Sequence, residues 1–194
     1  PATDTPISSL MREQMRRWLQ LVERSGGAPV TAVIHTTRQA KWDGASTYVL
    51  SADAATDCEH PGLGGFCHGM WWYYPLGRAE LETLHITALE LLATGINAIV
   101  FEPYLSGCRR ALLLSDALAT PFTLTRHGAK SPALAAIHRD LLATPEFEAV
   151  ATTAECAHIA GVSNAAADAC SRWNMPLLQK ICQQLAITPR RLTM

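Results

Sequence analysis

A chain of 194 residues, 48% hydrophobic and 17% charged with a formal net charge of −1, has the composition of a soluble folded domain and excludes a disordered tail, a collagen-like repeat and a coiled coil. Its length suits one domain with extensions rather than two full domains, taking roughly 150 residues per domain. The near-zero charge argues against a strongly electrostatic nucleic-acid binder as a whole, though an average leaves room for local patches. The apolar uncharged stretch 91–101 is too short for a bilayer span, and no basic n-region with an apolar h-region opens the chain. An intracellular protein, cytoplasmic or nuclear, with no membrane partner is therefore expected, and numbering from Pro1 without an initiator Met suggests a piece of something longer.

Six cysteines at 58, 67, 108, 156, 170 and 182 form no C-x-x-C pair, which reads as reduced thiols rather than a disulfide framework. Cys58, His60, Cys67 and His68 lie close together but fit none of the usual zinc spacings. A glycine-rich hairpin carrying two small buried thiols is the simpler reading.

Along the chain, Ile7, Leu10, Met11, Met15, Trp18, Leu19 and Val22 stripe one face of a helix over 7–23, ended by Ser25-Gly26-Gly27. Its arginines at 12, 16, 17 and 24 read as a solvated face. An irregular connector follows to residue 44. Strands are predicted at 47–53, 63–69 and 70–74, the last two aromatic-rich and punctuated by glycine as a hairpin or meander. Leu81, Leu84, Ala88, Leu91, Leu92 and Ile96 then recur at helical spacing, giving a helix over 82–95 that can extend toward 103. The apolar run 110–116 reads as a buried parallel strand. A helix follows it, and Ser131-Pro132 opens another to residue 142. A fifth strand over 151–159, a turn at 161–164 whose Ser163 or Asn164 can cap a helix over 165–171, and a last helix over 176–185 complete an α/β chain with a mixed sheet.

Four acids stand out. Asp53 and Asp116 end apolar strands, and if those strands pair in parallel both carboxylates emerge at one sheet edge, where open α/β sheets bind ligands. Glu90 sits in the most apolar part of its helix, and Asp168 follows three alanines that let a helix approach the sheet closely. Carboxylates brought together repel, so such a cluster persists only around a cation. All-oxygen ligation selects a hard ion, Mg²⁺ or Mn²⁺, and two such ions about 3.5–4 Å apart suit phosphodiester hydrolysis.

These residues resemble a known family. The four acids, together with Leu112-Leu113-Leu114-Ser115-Asp116, Ala129-Lys130-Ser131-Pro132-Ala133-Leu134, His85-Ile86-Thr87-Ala88-Leu89-Glu90 and the run from His158 through Gly161-Val162-Ser163-Asn164 to Asp168 and Arg172, are similar to the ribonuclease H domain of retrotransposon reverse transcriptases, particularly the DIRS-like type. The resemblance covers roughly 47–173. It implies an RNase H-like fold: a five-stranded mixed sheet, three antiparallel strands then parallel strands, flanked by helices and carrying N- and C-terminal helical extensions. The implied division is 1–45 helix and connector, 46–175 catalytic domain, 176–194 terminal helix and tail.

The activity implied is metal-dependent endonucleolytic cleavage of the RNA strand of RNA/DNA hybrids, with two Mg²⁺ or Mn²⁺ ions held by Asp53, Glu90, Asp116 and Asp168 and with His158 as an assisting imidazole. The polymerase domain of the same polyprotein is the implied partner, since no Tyr-x-Asp-Asp signature occurs in this chain. Nucleic-acid contacts are expected from Ala54, Ala55 and Thr56 beside Asp53, from Thr87, and from Arg126, Lys130 and Arg172, with Arg109, Arg110 and Arg139 as further scattered charge. Departures from the family pattern are Ala117 after Asp116, the short Thr87 one turn before Glu90, and an acidic segment at 145–148 where relatives carry a basic helical protrusion. The competing readings are a catalytically silent scaffold of the same fold, which has no need of four repelling acids, and a transposase or integrase core, which the segment from His158 to Asp168 fits poorly.

Overall fold

The computed structural model describes residues 47–105, 110–125 and 128–193. The predicted amino-terminal helix and connector, Arg109 and Arg126 lie outside these described residues.

Three strands come first, β1 (Thr47–Ala55), β2 (Gly62–Cys67) and β3 (Met70–Pro75). The β2–β3 turn is made by His68 and Gly69 alone, both at positive φ, 48° and 85°, the backbone that a two-residue hairpin demands. That turn is why β2 stops at Cys67 and not at the predicted residue 69. The predicted helix over 82–95 is two helices, α1 (Arg78–Thr83) and α2 (Ile86–Phe101), followed by a 3₁₀ turn at Glu102–Tyr104. Leu84 is extended between them. The His85 ring then caps α2 by accepting from the Thr87 N–H at 3.2 Å.

After β4 (Arg110–Ser115) come α3 (Ala119–Thr125), α4 (Pro132–Leu142) and α5 (Pro145–Ala151). The acidic segment is thus itself helical. Pro145 opens it, Glu146 and Glu148 sit in its first turn where they favour the helix dipole, and Phe147 and Val150 are buried. As a result β5 runs over Ala154–His158, starting three residues later than predicted. The chain ends with a 3₁₀ turn at Gly161–Ser163, α6 (Ala165–Ser171), α7 (Met175–Gln184) and β6 (Arg190–Arg191).

The sheet order is β5-β4-β1-β2-β3-β6, with β1, β2 and β3 antiparallel in sequence and β4 and β5 parallel to β1. The fold class is therefore the expected mixed α/β sheet flanked by helices. It has six strands and not five, because the tail adds β6 parallel to β3. Arg190 N–H donates to Gly69 O at 2.8 Å and Leu192 N–H to Trp71 O at 2.7 Å, while the buried Leu192 side chain anchors the segment in the core. This covers an edge that β3 would otherwise leave unpaired.

Side chains alternating along the strands fill two cores. Leu50, Ala52, Leu63 and Trp72 meet Leu89, Ala93 and Phe101 of α2 on one face. Phe66 and Trp71 meet Cys170, Leu178 and Cys182 of α6 and α7 on the other. The stretch Ile86–Tyr104 is long and apolar enough to cross a membrane; here it is the core helix, packed on β1 and β2. Close approach of α6 to the sheet depends on Gly64, where a Cβ would run into the Ser171 and Cys170 backbone. Backbone cannot swing aside as a side-chain tip can, so Gly64→Ala is expected to destabilise by about 3 kcal/mol, the upper range for overpacking, measured by urea denaturation.

Candidate metal centre

The register of the sheet builds the site. Ser51 of β1 lies opposite Leu114 of β4 in the parallel pair, so Asp53 and Asp116, each two residues further on, leave the two strands at the same level. Asp53 does not end its strand as predicted. Its pairing continues through Ala54↔Leu63 and Ala55↔Gly62, because β2 accompanies β1 beyond the point where β4 stops. Glu90 reaches the same point from α2, which crosses beneath β1. Among the described residues, the group of His, Cys, Asp and Glu side chains close enough to share an ion is Asp53, Glu90 and Asp116, whose ligand oxygens all lie within 4.8 Å of one another. The Cys58, His60, Cys67 and His68 set forms no such group, as Cys67 is buried in the sheet core.

Asp168 stands apart from the trio. Its Oδ1 accepts from Arg172 Nε at 2.5 Å, an i, i+4 pair on the half-exposed side of α6. Its charge still reaches inward, raising the proton affinity of both Asp53 and Glu90. Ser171, three residues along the same helix, donates from Oγ to Asp53 Oδ2, with the Asp168 carbonyl 3.0 Å away on its other side.

Electrostatics mark this as a strained arrangement without a cation. Asp53 is 4% and Glu90 6% exposed. Burial above all, then the neighbouring Asp116 and Asp168 charges, lifts the Asp53 carboxyl from 3.8 to about 6 against the opposing Ser171 hydrogen bond. Burial and the Asp53 and Asp116 charges lift Glu90 from 4.5 to about 9, only partly countered by the Ala54 N–H that donates to Glu90 Oε1 at 3.1 Å. Glu90 Oε2 is buried with no hydrogen-bond partner. A buried carboxylate oxygen without a donor is costly. Three converging carboxylates, one of them with an orphaned oxygen, fit a hard divalent cation such as Mg²⁺ or Mn²⁺.

A pH dependence follows from the same shifts. Both carboxyls bind protons more tightly folded than unfolded, so between about pH 4 and pH 9 the native state holds more protons and stability falls as pH rises. Metal-free protein is expected to melt at its highest temperature near pH 5 and to lose stability through pH 9. Thermal melts in EDTA across that range measure it; a flat or rising profile contradicts the burial of these two acids.

The remaining predicted site residues divide. His158, the last residue of β5, is exposed and its Nε2 donates to the Asp116 carbonyl at 3.0 Å, so the imidazole stands beside the trio. The Ala54 N–H, expected to face nucleic acid, is instead engaged by Glu90, and Ala54 and Ala55 are buried in the sheet. Thr56 is exposed just past β1, and Lys130 is exposed before α4. The Thr87 amide and hydroxyl both lie against the His85 ring as a helix cap. Arg172 is held by Asp168. Asn164 stands at the N-cap of α6 as expected, but its side chain makes no cap bond: its Nδ2 donates to the Ala52 carbonyl at 3.0 Å, tying the helix start to β1. Sequence reasoning missed Ser171, whose signal was its spacing of three from Asp168 on a helix. It also missed Gly161 as part of the site, where a Cβ would sit 3.2 Å from Asp116 Oδ2.

No protein-family model and no curated protein matches the sequence. Among solved structures, the chain is similar to RNase H1 from the halophilic archaeon Halobacterium salinarum NRC-1, at 15% identity over 64% of this chain and 93% of that one, with a TM-score of 0.49. It is also similar to the N-terminal RNase H domain of Rv2228c from Mycobacterium tuberculosis, at 15% identity over 73% of this chain and 99% of that one, with a TM-score of 0.44. Likeness at this level transfers no residue's role.

Proposed function

We propose that this chain is a metal-dependent endonuclease of the ribonuclease H type, cutting the RNA strand of RNA/DNA hybrids. The observation that carries the reading is the convergence of Asp53, Glu90 and Asp116 oxygens within 4.8 Å at one sheet edge, with Glu90 Oε2 unsatisfied. A fold alone does not fix a function, so the acids bear the weight. The motifs from His158 to Arg172 and around Glu90, quoted above for their resemblance to retroelement reverse transcriptases, support placing the chain beside a polymerase domain.

In this reading Asp53, Glu90 and Asp116 hold a divalent cation, Mg²⁺ or Mn²⁺, and Asp168 completes the set for a second. A cation so held supplies neutralising charge at the scissile phosphate and lowers the pKa of a bound water. The protein's own groups do the rest. Ser171 fixes the orientation of Asp53, leaving Oδ1 free of that hydrogen bond. His158, exposed beside Asp116, holds or moves a proton at its ring nitrogens. Thr56, Lys130 and Arg172 suit the sugar and phosphate contacts by which a hybrid is recognised through its shape and its 2′-hydroxyls.

The test is a substrate panel: an RNA/DNA hybrid, an RNA duplex and a DNA duplex, each end-labelled on either strand, incubated with the chain in Mg²⁺, Mn²⁺ or EDTA. Metal-dependent cleavage confined to the RNA strand of the hybrid is expected. Cutting of the DNA duplex contradicts the substrate class. Tight hybrid binding without cleavage under any metal favours the silent scaffold.

A further inference from the structure

Residues 165–193 carry one acid, Asp168, against four bases, Arg172, Lys180, Arg190 and Arg191, in a chain of net charge −1. Arg172 is paired with Asp168. Arg190 and Arg191 are exposed, and among the described residues neither forms an ion pair with a carboxylate. The two differ in what they face. Arg190 alternates to the side of Leu192, whose side chain enters the α2 core. Arg191 points the other way, its guanidinium carbon 4.7 Å from the centre of the Trp173 ring and 5.6 Å from that of Trp71. Trp173 in turn packs on Tyr73 at 4.8 Å and Trp71 at 5.7 Å.

Trp173 has φ 55°, a left-handed conformation that is unfavourable for a bulky residue and usually falls to glycine after a helix. It is seated there by its stacking partners and immediately follows Arg172. A guanidinium stacked by its face keeps its in-plane N–H groups free, and their fork matches two oxygens of a phosphate. The platform also lies in register with the acids. Tyr73 pairs with Gly64, which pairs with Asp53, so the aromatic cluster stands two strand spacings, about 10 Å, from β1, and Arg191 on β6 stands one spacing further, about 14 Å. At about 3.4 Å of axial rise per nucleotide, about 14 Å is about four nucleotides.

We propose that Arg191, presented on Trp173, grips a backbone phosphate of the nucleic acid about four nucleotides from the scissile bond, making the β6 tail a second anchor for the substrate. The inference rests on the hybrid-cleaving reading of the carboxylate site. It is carried by a single arginine set over the Trp173 ring, without a carboxylate partner among the described residues.

The test measures binding of a fluorescent RNA/DNA hybrid by anisotropy in Mg²⁺ from about 50 to 200 mM salt, with Asp116→Asn as the non-cleaving parent. Adding Arg191→Gln is expected to weaken binding about fivefold or more at low salt and to reduce the slope of log affinity against log salt by about one. Arg191→Lys keeps the slope but loses the planar stack, giving an intermediate affinity; it also serves should the glutamine variant fold poorly by near-ultraviolet circular dichroism. Arg190→Gln, on the opposite face, is expected to leave the slope unchanged. Unchanged affinity and slope in Arg191→Gln overturn the anchor, as does an equal loss in Arg190→Gln, which marks diffuse charge. A parent that binds no hybrid overturns the hybrid reading itself, and the anchor with it.

Discussion

Replacing Asp53 or Asp116 by Asn is expected to lower single-turnover cleavage of a hybrid by about 1,000-fold or more while leaving the chain folded. The isosteric amide keeps the shape and removes one charge from a trio whose ligand oxygens lie within 4.8 Å of one another. Cation assistance at a phosphoryl group contributes several kcal/mol, and about 4 kcal/mol corresponds to a factor near 1,000. The asparagine variants are also expected to be no less stable than wild type in EDTA, since each removes a repelling charge. Loss of activity together with loss of fold would instead assign these acids a structural role.

The second large effect is expected from Glu90→Gln, and its sign depends on metal. Glu90 is buried, flanked by two other acids, and pushed up to about 9. In EDTA at pH 9 the glutamine variant is expected to melt at least about 4 °C above wild type, because about 1 kcal/mol moves the melting temperature by some 2–4 °C in a domain of this size. Near pH 5, where wild-type Glu90 is protonated, the two should melt together. Added Mg²⁺ or Mn²⁺ should raise the wild-type melting temperature, and more at pH 8 than at pH 6 because the cation displaces a proton. It should do little for Glu90→Gln. Differential scanning calorimetry across this pH range, with and without metal, resolves all of these differences. A glutamine variant less stable than wild type at pH 9 would show that the acid is satisfied by something other than a cation.

Much of this site is legible in the amino-acid sequence. Local pattern decides the types of the long elements, and two apolar runs ending in Asp53 and Asp116 set both acids on one edge once the strands pair in parallel, a pairing the fold supplies. What local pattern leaves out is long-range. No propensity reveals that β1 continues past Asp53, since its partner β2 lies across a loop. The strand β6 depends on Leu192 finding the core well beyond the end of α7, and two exposed arginines give no strand signal of their own. The helix α5 is masked by its acids, which draw the eye to the absence of a basic protrusion, while Phe147 and Val150 at helical spacing are the better clue. The four acids do not stand equally, as their placement on successive elements had implied. Arg172, four residues beyond Asp168, is a visible partner on the same helical face, and it pairs with that carboxylate, which stands outside the group of the other three. The Ala54 amide is expected to face substrate, but a strand interior beside a buried Glu90 has first use of it.

Binding of a divalent cation by Asp53, Glu90 and Asp116 together is tested most directly by anomalous diffraction from crystals grown in Mn²⁺. A strong anomalous peak is expected between the three carboxylates, within about 2.0–2.4 Å of an oxygen from each as hard-ion coordination requires, and it should disappear in Glu90→Gln crystals. Ordered carboxylates with no peak between them at saturating Mn²⁺, or a peak held by other residues alone, would contradict it.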